Sequence, residues 1–139
     1  MSQTTKYMST RFLIVDHSAV MRRMIKHSLK EAGYTVTDET DNCLNAIRKL
    51  QQKSHDFVIA ELNAPHMDGL MLLHTIRSDP ELANTPVIII SATSRKDDVL
   101  AAAKAGANGY VVKPFSISIL ARKIIRVLDK MTLAANQQT

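Results

Sequence analysis

Residues 12–33, FLIVDHSAVMRRMIKHSLKEAG, contain one complete strand, turn and helix. The run Phe12–Val15 is apolar at every position and short, which suits a strand covered on both faces. Beyond a polar turn, Ser18 is placed to cap a helix and Gly33 to end it. Between them, apolar residues recur at helical spacing, at Val20, Met21, Met24, Ile25 and Leu29. The segment therefore predicts a strand followed by a helix.

The same alternation continues along the chain. Further strands are predicted at Tyr34–Thr37, Phe57–Ala60, Val87–Ile90 and Gly109–Val112. Helical patterns follow them, at Leu44, Ile47 and Leu50, at Leu70, Leu73 and Ile76, at Val99–Ala105 before Gly106, and at Leu120, Ile124, Val127, Leu128 and Met131. Five alternations predict an α/β fold, a doubly wound five-stranded parallel sheet with flanking helices. Functional residues of such sheets lie at the carboxyl ends of the strands.

Length and composition indicate one domain. The chain has 139 residues, 45% of them hydrophobic, and Cys43 is its single cysteine, so no intrachain disulfide supports the core. We predict a domain over residues 11–131, with a disordered N-terminal tail at 1–10 and a C-terminal tail at 132–139. The chain shows neither a secretion signal nor an apolar run of roughly 20 residues, so we expect a cytoplasmic protein without membrane contact.

The charge of the chain narrows the class of partner. The net charge is +5 at pH 7, but the cationic residues are dispersed along the sequence. Three tyrosines, three phenylalanines and no tryptophan make a stacking surface for nucleic acid a poor expectation. An acidic protein surface is the better match to this charge.

Polar residues follow four of the predicted strands. They are Asp16, His17 and Ser18 after the first, Glu61 and Asn63 after the third, Ser91 after the fourth, and Lys113 after the fifth. Each alone is an ordinary helix-start, turn or surface residue. Two acids, a hydroxyl and a lysine at one sheet edge together predict a functional crevice. No glycine-rich phosphate loop follows the first strand, and no nucleophile elbow occurs, which argues against a nucleotide enzyme or a serine hydrolase.

Four segments resemble, in order, the motifs of response-regulator receiver domains, especially stand-alone chemotaxis-type ones. They read FLIVDHSAVMRR (12–23), DFVIAELNAPHMDG (56–69), TPVIIISA (85–92) and AGANGYVVKPF (105–115). The resemblance implies a flavodoxin-like fold with strand order 2-1-3-4-5 and a role in two-component signalling. It also implies Mg²⁺-dependent phosphotransfer from a histidine kinase to an aspartate, after which a hydroxyl residue and an aromatic residue turn inward.

The resemblance assigns roles to five residues of this chain. Asp16 matches an acid that holds Mg²⁺, and Asn63 matches the residue whose backbone carbonyl binds it. Ser91 matches the switch hydroxyl, Tyr110 the switch aromatic, and Lys113 the lysine that pairs with the phosphoryl group. The peptide bond from Lys113 to the following proline is expected to be cis.

Two positions depart from the family pattern. His17 stands where a second metal-binding acid is expected, and Glu61 stands where the phosphoacceptor aspartate is expected. An imidazole weakens a Mg²⁺ site, and one extra methylene misplaces a carboxylate for in-line transfer. We therefore predict an atypical, non-enzymatic receiver that acts by protein contacts. Glu61 would be a partial mimic of the phosphorylated state, with Ser91 able to donate a hydrogen bond to it.

Several alternatives stay open. Glu61 could retain residual phosphorylation, or the chain could be an engineered mimic of an aspartate-bearing protein. Glu61 could also merely neutralise Lys113. Asp16, His17 and Glu61 could together bind a softer divalent metal, or the protein could be a flavodoxin-like module that binds a small ligand. No cofactor is certain, and Mg²⁺ binding at Asp16, Glu61 and Asn63 is expected to be weak or absent. Besides a histidine kinase, we expect a protein partner at the face of the fourth helix, fifth strand and fifth helix, which carries Arg95, Lys96, Lys104, Arg122, Lys123 and Arg126.

Overall fold

The computed structural model describes residues 7–64 and 67–137, in which strands and helices alternate. The strands are β1 Phe12–Val15, β2 Thr37–Thr40, β3 Phe57–Glu61, β4 Asn63–Ala64, β5 Met67–Asp68, β6 Val87–Ser91 and β7 Gly109–Val112. The helices are α1 Ala19–Glu31, α2 Cys43–Gln51, α3 Gly69–Ser78, α4 Lys96–Lys104 and α5 Ile117–Gln137. Within these ranges, no helix combines the length and hydropathy needed to cross a bilayer.

Five strands form one parallel sheet in the order β2-β1-β3-β6-β7. The two-residue strands β4 and β5 form a separate antiparallel hairpin, which the sequence did not predict. Counted without that hairpin, the order is the expected 2-1-3-4-5, so the predicted fold class is confirmed. All five carboxyl ends lie at the same edge of the sheet, where the polar residues follow.

Alternating residues of the three central strands fill two hydrophobic layers. On one face, Leu13, Val15, Val58, Ala60, Val87 and Ile89 pack with residues of α2, α3 and α4. On the other, Phe12, Ile14, Phe57, Ile59, Ile88 and Ile90 pack with residues of α1 and α5. Every residue of β1 is buried, as expected of a strand covered on both sides.

The prediction of the second strand was wrong. The sequence placed it at Tyr34–Thr37, whereas β2 begins at Thr37 and ends at Thr40. Tyr34 is instead a buried loop residue, with its ring centroid 5.1 Å from that of Phe12. The polar segment TDET forms the strand because it pairs with β1 at the edge of the sheet, where side chains need not be apolar.

The predicted ends of the first helix are confirmed, but some residues predicted to face the core in the first two helices are exposed. Ser18 caps α1, since its hydroxyl accepts a hydrogen bond from the Met21 amide at 3.1 Å, and Gly33 follows the helix with a φ of 99°. Val20 and Met24, however, are 66% and 52% exposed, and Leu44 on α2 is 63% exposed. These helices contact the sheet through a narrower stripe than hydrophobic spacing alone indicates.

The chain ends differ from simple tails where the structure describes them. Residues 1–6 of the predicted N-terminal tail lie outside the described residues. Tyr7 packs against the second hydrophobic layer, and its hydroxyl donates a hydrogen bond to Asp129 on α5. At the other end, α5 continues to Gln137, so the predicted domain limit at residue 131 falls inside a helix.

Arg77 joins the end of α3 to the loops that precede β6 and β7. Its guanidinium donates hydrogen bonds to the carbonyl oxygens of Ala83, Thr85 and Gly106, at distances from 2.6 to 3.1 Å. It also donates to Asn108 Oδ1 at 2.8 Å. One half-buried cation thus binds three backbone carbonyls and one side-chain amide oxygen.

We expect Arg77→Met to lower the free energy of unfolding by about 2 to 3 kcal/mol, because hydrogen bonds from a charged donor are lost together. Urea denaturation monitored by circular dichroism measures this. The matched control is Arg48→Met on the exposed side of α2, which should change stability by less than about 0.5 kcal/mol. Equal effects in the two variants would contradict the assignment.

Candidate functional site

The candidate site lies at the carboxyl ends of β1, β3 and β7. Asp16 and His17 follow β1, Glu61 is the last residue of β3, and Lys113 follows β7. Ser91 ends β6 beside them, and its carbonyl accepts a hydrogen bond from the Lys113 amide at 2.7 Å. The structure thus brings together, at one sheet edge, residues that are far apart in the sequence.

The carboxylates of Asp16 and Glu61 lie between two basic side chains. On one side, His17 Nδ1 is 2.7 Å from Glu61 Oε2 and 3.6 Å from Asp16 Oδ1. On the other side, Lys113 Nζ is 3.5 Å from Asp16 Oδ2 and 3.7 Å from Glu61 Oε1. The His17 amide also donates to Glu61 Oε2 at 3.2 Å. Glu61 is therefore held by both the backbone and the side chain of His17.

The two carboxyl groups differ in electrostatic environment although both are buried. For Asp16, burial raises the pKa above its ordinary value, and the negative charge of Glu61 adds to the rise against the opposing Ser18 amide and Lys113. For Glu61, burial also favours a higher pKa, but the hydrogen bonds from His17 and the charge of Lys113 outweigh it and lower the pKa. Glu61 is the carboxyl group of the pair that more readily carries the negative charge.

The backbone around Glu61 is fixed by Gly69, the first residue of α3. A Cβ atom at Gly69 would lie 2.2 Å from the carbonyl oxygen of Glu61, so only glycine allows this approach. The Gly69 amide donates to the Leu62 carbonyl at 2.9 Å, and Asp68 caps α3 through its side chain. The start of α3 therefore sets the position from which the Glu61 side chain extends.

The predicted switch residues contact the loop after β6. The hydroxyl of Tyr110, a partly buried residue of β7, donates to the Thr93 carbonyl at 2.8 Å. Ser91 Oγ accepts a hydrogen bond from the Thr93 amide at 3.1 Å. The expected bond from Ser91 to Glu61 does not occur between these two described residues; His17 binds Glu61 instead.

Two further expectations concern the loops of the site. The peptide bond between Lys113 and Pro114 is cis, as predicted. Asn63 begins β4 and pairs with Asp68 of β5, so its backbone belongs to the small hairpin next to Glu61. Pro65 and His66 of the second motif lie outside the described residues.

Comparison with known proteins identifies the family. The response regulator receiver domain model matches residues 12–125. The chain belongs to this family. The receiver is 39% identical over 121 residues to chemotaxis protein CheY-3 of Vibrio cholerae serotype O1, covering 87% of this chain and 93% of the relative. It is also 39% identical to chemotaxis protein CheY of Pseudomonas aeruginosa, covering 87% of this chain and 98% of the relative.

Solved structures agree with this identification. The receiver resembles the chemotaxis response regulator CheY4 of Vibrio cholerae with a TM-score of 0.78 and 28% identity, covering 86% of this chain and 98% of that one. A putative response regulator from Chloroflexus aurantiacus has a TM-score of 0.82 and 26% identity, covering 87% and 98%. The protein is therefore a CheY-type receiver of two-component signalling, a class that interacts with protein partners such as kinases.

The Mg²⁺ ion that the family implies fits this site poorly. Mg²⁺ requires close to octahedral coordination by hard oxygen ligands. Here an imidazole nitrogen stands 2.7 Å from Glu61 Oε2, and Lys113 Nζ lies within 3.7 Å of both carboxylates. Since a nitrogen and an ammonium border the oxygens that Mg²⁺ would use, no step of the proposed mechanism depends on this ion.

Two residues that were not predicted from the sequence support the site. Arg22 on α1 donates to the Asp16 carbonyl at 2.7 Å and to Glu39 of β2 at 2.9 Å, so it joins two strand ends to α1. Thr93 connects Ser91 and Tyr110 through its amide and carbonyl. Arg22 lies within the first motif, so the sequence could have indicated it. Thr93 acts through its backbone amide and carbonyl, and such contacts cannot be predicted from the type of the residue.

We expect Asp16→Asn to stabilise the fold at pH 7 by about 1 kcal/mol. The pKa of Asp16 is raised in the folded state, so above its ordinary value of 3.8 its charge opposes folding. Asparagine removes that charge and keeps the oxygen that accepts from the Ser18 amide. Urea denaturation of the variant and the wild type gives the comparison.

The matched variant Asp56→Asn should have the opposite sign. Hydrogen bonds from Arg11 lower the pKa of Asp56, so its stabilising effect is present above 3.8 and is lost as the pH falls through the lowered value. This variant should unfold at a lower urea concentration than the wild type at pH 7. Destabilisation by Asp16→Asn would show that its charge is compensated in the fold.

Proposed function

We propose that this receiver acts through protein contacts without ordinary aspartyl phosphorylation. The observation that carries this proposal is the environment of Glu61, which the family resemblance assigns to the phosphoacceptor position. The residue is 5% exposed, and its carboxylate is already held by His17 at 2.7 Å and by Lys113 at 3.7 Å. An incoming phosphoryl donor would have to displace both basic groups from the acceptor oxygens. We further propose that the protein is a cytoplasmic signalling module and not an enzyme.

In this proposal, Glu61 supplies part of the charge that phosphorylation would bring. A glutamate carries one negative charge, whereas a phosphoryl group carries roughly 1.5 to 2 at pH 7. Lys113, the phosphoryl-pairing lysine of the family pattern, already lies beside Glu61. The fixed pair would therefore favour the switched arrangement of the output surface, although less strongly than a phosphoryl group.

The contacts of Tyr110 and Ser91 support a partial bias. Tyr110 is partly buried and bound to the Thr93 carbonyl, which agrees with an inward aromatic residue. The Ser91 hydroxyl accepts a hydrogen bond from the Thr93 amide, and the Glu61 carboxylate is bound by His17. One of the two switch residues thus has an inward contact and the other does not reach the acid. A hydrogen bond to a charged acceptor contributes about 1.5 to 3 kcal/mol, so its absence shifts a two-state equilibrium by about tenfold or more.

We place the partner surface on α4, β7 and α5. Its cations are Arg95, Lys96, Lys104, Arg122, Lys123 and Arg126, of which all but the partly buried Lys123 are exposed. Leu100, Val112 and Ile119 are exposed apolar residues of the same three elements. An acidic partner segment with apolar side chains would match both features, and its association rate should fall as salt rises. A histidine kinase is a second candidate partner.

The first test is phosphorylation itself. Incubation with acetyl phosphate or phosphoramidate and Mg²⁺, followed by intact-mass measurement, should show no phosphoryl adduct on the wild type. The double variant His17→Asp, Glu61→Asp restores the family pattern and should acquire one phosphoryl group. The control His17→Asp, Glu61→Asn lacks an acceptor and should acquire none. An adduct on wild-type Glu61 as abundant as on the first double variant would instead support residual phosphotransfer.

The second test concerns the bias of the switch. Glu61→Gln and Glu61→Ala remove the charge, so both should weaken partner binding by about tenfold and shift the NMR resonances of Thr93 and Tyr110. Glu81→Gln, at a surface glutamate paired with Lys53, is the matched control. If both Glu61 variants bind within about twofold of wild type, roughly 0.4 kcal/mol, Glu61 only neutralises Lys113.

A further inference from the structure

We propose that the helical layer of α1 and α5 binds the surface of an anionic membrane as a peripheral contact. Exposed cations and exposed aliphatic side chains lie together on this layer, and their juxtaposition carries the inference. It departs from the expectation, drawn from the sequence, of a chain without membrane contact. It goes beyond the proposed function and does not require it, because neither Glu61 nor the switch residues take part.

The net positive charge of the chain is concentrated in these two helices. Together they contain 8 of the 18 lysines and arginines but only 2 of the 13 acidic residues, Glu31 and Asp129. The two helices therefore carry a formal charge of +6 at pH 7, and the rest of the chain carries −1. The cations are dispersed along the sequence, but the fold gathers these on one side of the sheet, because α1 and α5 both pack against the second hydrophobic layer.

Most of these cations are exposed to solvent. Arg22 and Lys123 are partly buried, and the other six are exposed. The six recur at spacings of three or four residues, which place them on one face of each helix: Arg23, Lys26 and Lys30 in α1, and Arg122, Arg126 and Lys130 in α5. Since the helices are about 20 and 30 Å long, the charge is spread over a broad face and not gathered in one crevice.

Exposed aliphatic side chains accompany the cations. Five of them, on the same two helices, are between 40% and 66% exposed: Val20, Met24, Ile117, Ile119 and Leu133. A groove between α1 and the start of α5 is lined by residues of both kinds, including Arg23, Met24 and Ile117. A second groove along α5 includes Arg126 and Leu133. The layer is therefore both cationic and apolar along its length.

These two features together favour a lipid surface over other anionic partners. Anionic lipids attract clustered lysines and arginines, and aliphatic side chains enter the region of the headgroups. The cations of a nucleic-acid site bind phosphates, and its bases stack on aromatic rings, so exposed aliphatic residues would have no role there. An acidic protein segment would cover one groove, whereas the charge and the aliphatic side chains extend along both helices. A lipid surface uses all of them.

Sedimentation of the full chain with lipid vesicles tests the proposal. We expect binding to vesicles of phosphatidylcholine and phosphatidylglycerol in roughly equal parts, weakening as salt rises, and no binding to phosphatidylcholine alone. The triple variant Arg23→Gln, Lys30→Gln, Lys130→Gln should weaken binding by about tenfold or more, because each cation is attracted to the anionic surface. The matched control removes equal charge from exposed positions of α2 and α4, on the other side of the sheet. This control, Arg48→Gln, Lys96→Gln, Lys104→Gln, should bind within about twofold of wild type.

The double variant Met24→Ser, Leu133→Ser separates a lipid surface from nucleic acid. It should weaken vesicle binding by about fivefold or more, because it removes buried apolar area from the contact. It should leave the affinity for a labelled DNA duplex, measured by fluorescence anisotropy, unchanged. Circular dichroism of each variant establishes that it is folded, and all the substituted side chains are exposed.

Three results would overturn the proposal. They are equal vesicle binding by the cation variant and its matched control, vesicle affinity unchanged by the serine substitutions, and tighter binding of the wild type to the DNA duplex than to the anionic vesicles. Each of these results leaves the phosphorylation test unaffected.

Discussion

The parallel register of β1, β3 and β6 is the constraint on which the site depends. Val15 pairs with Ala60, and Ala60 pairs with Ile89, so the next residues, Asp16 and Glu61, emerge side by side. A shift of one residue in either pairing would turn the acid to the opposite face of the sheet. The apolar residues that precede the two acids in these strands fix the register, because a shift by one residue would move each side chain out of its hydrophobic layer. The packing of the core therefore determines the distance between the two carboxylates.

Much of this arrangement could be predicted from the sequence. Strands that are apolar throughout, such as Phe12–Val15, can be predicted from their composition. The acids that follow these strands place the site at the carboxyl edge of the sheet. Strand β2 could not be predicted in the same way. The polar segment TDET pairs with β1, whereas Tyr34 and Val36 are residue types common in strands but precede β2 in the chain. Local propensity gives way to tertiary pairing at the edge of a sheet.

Within the site, residue types were predictable and their partners were not. The sequence predicted a hydrogen bond from Ser91 to Glu61. In the structure, the Glu61 carboxylate is bound by His17, and the Ser91 hydroxyl accepts a hydrogen bond from the Thr93 amide. Several donors surround one acceptor, and the backbone geometry at His17 decides between them, since its amide and its imidazole reach the same oxygen. Such a choice depends on tenths of an ångström, which no spacing in the sequence expresses.

The close approach of α3 to β3 has a consequence for substitutions that lie outside the site. The Gly69 amide donates to the Leu62 carbonyl, and Asn63 pairs with Asp68 beside it. A Cβ atom at position 69 would lie 2.2 Å from the carbonyl oxygen of Glu61 and would displace it directly. The arrangement of the acids can therefore be disturbed from a position that carries no functional group of its own.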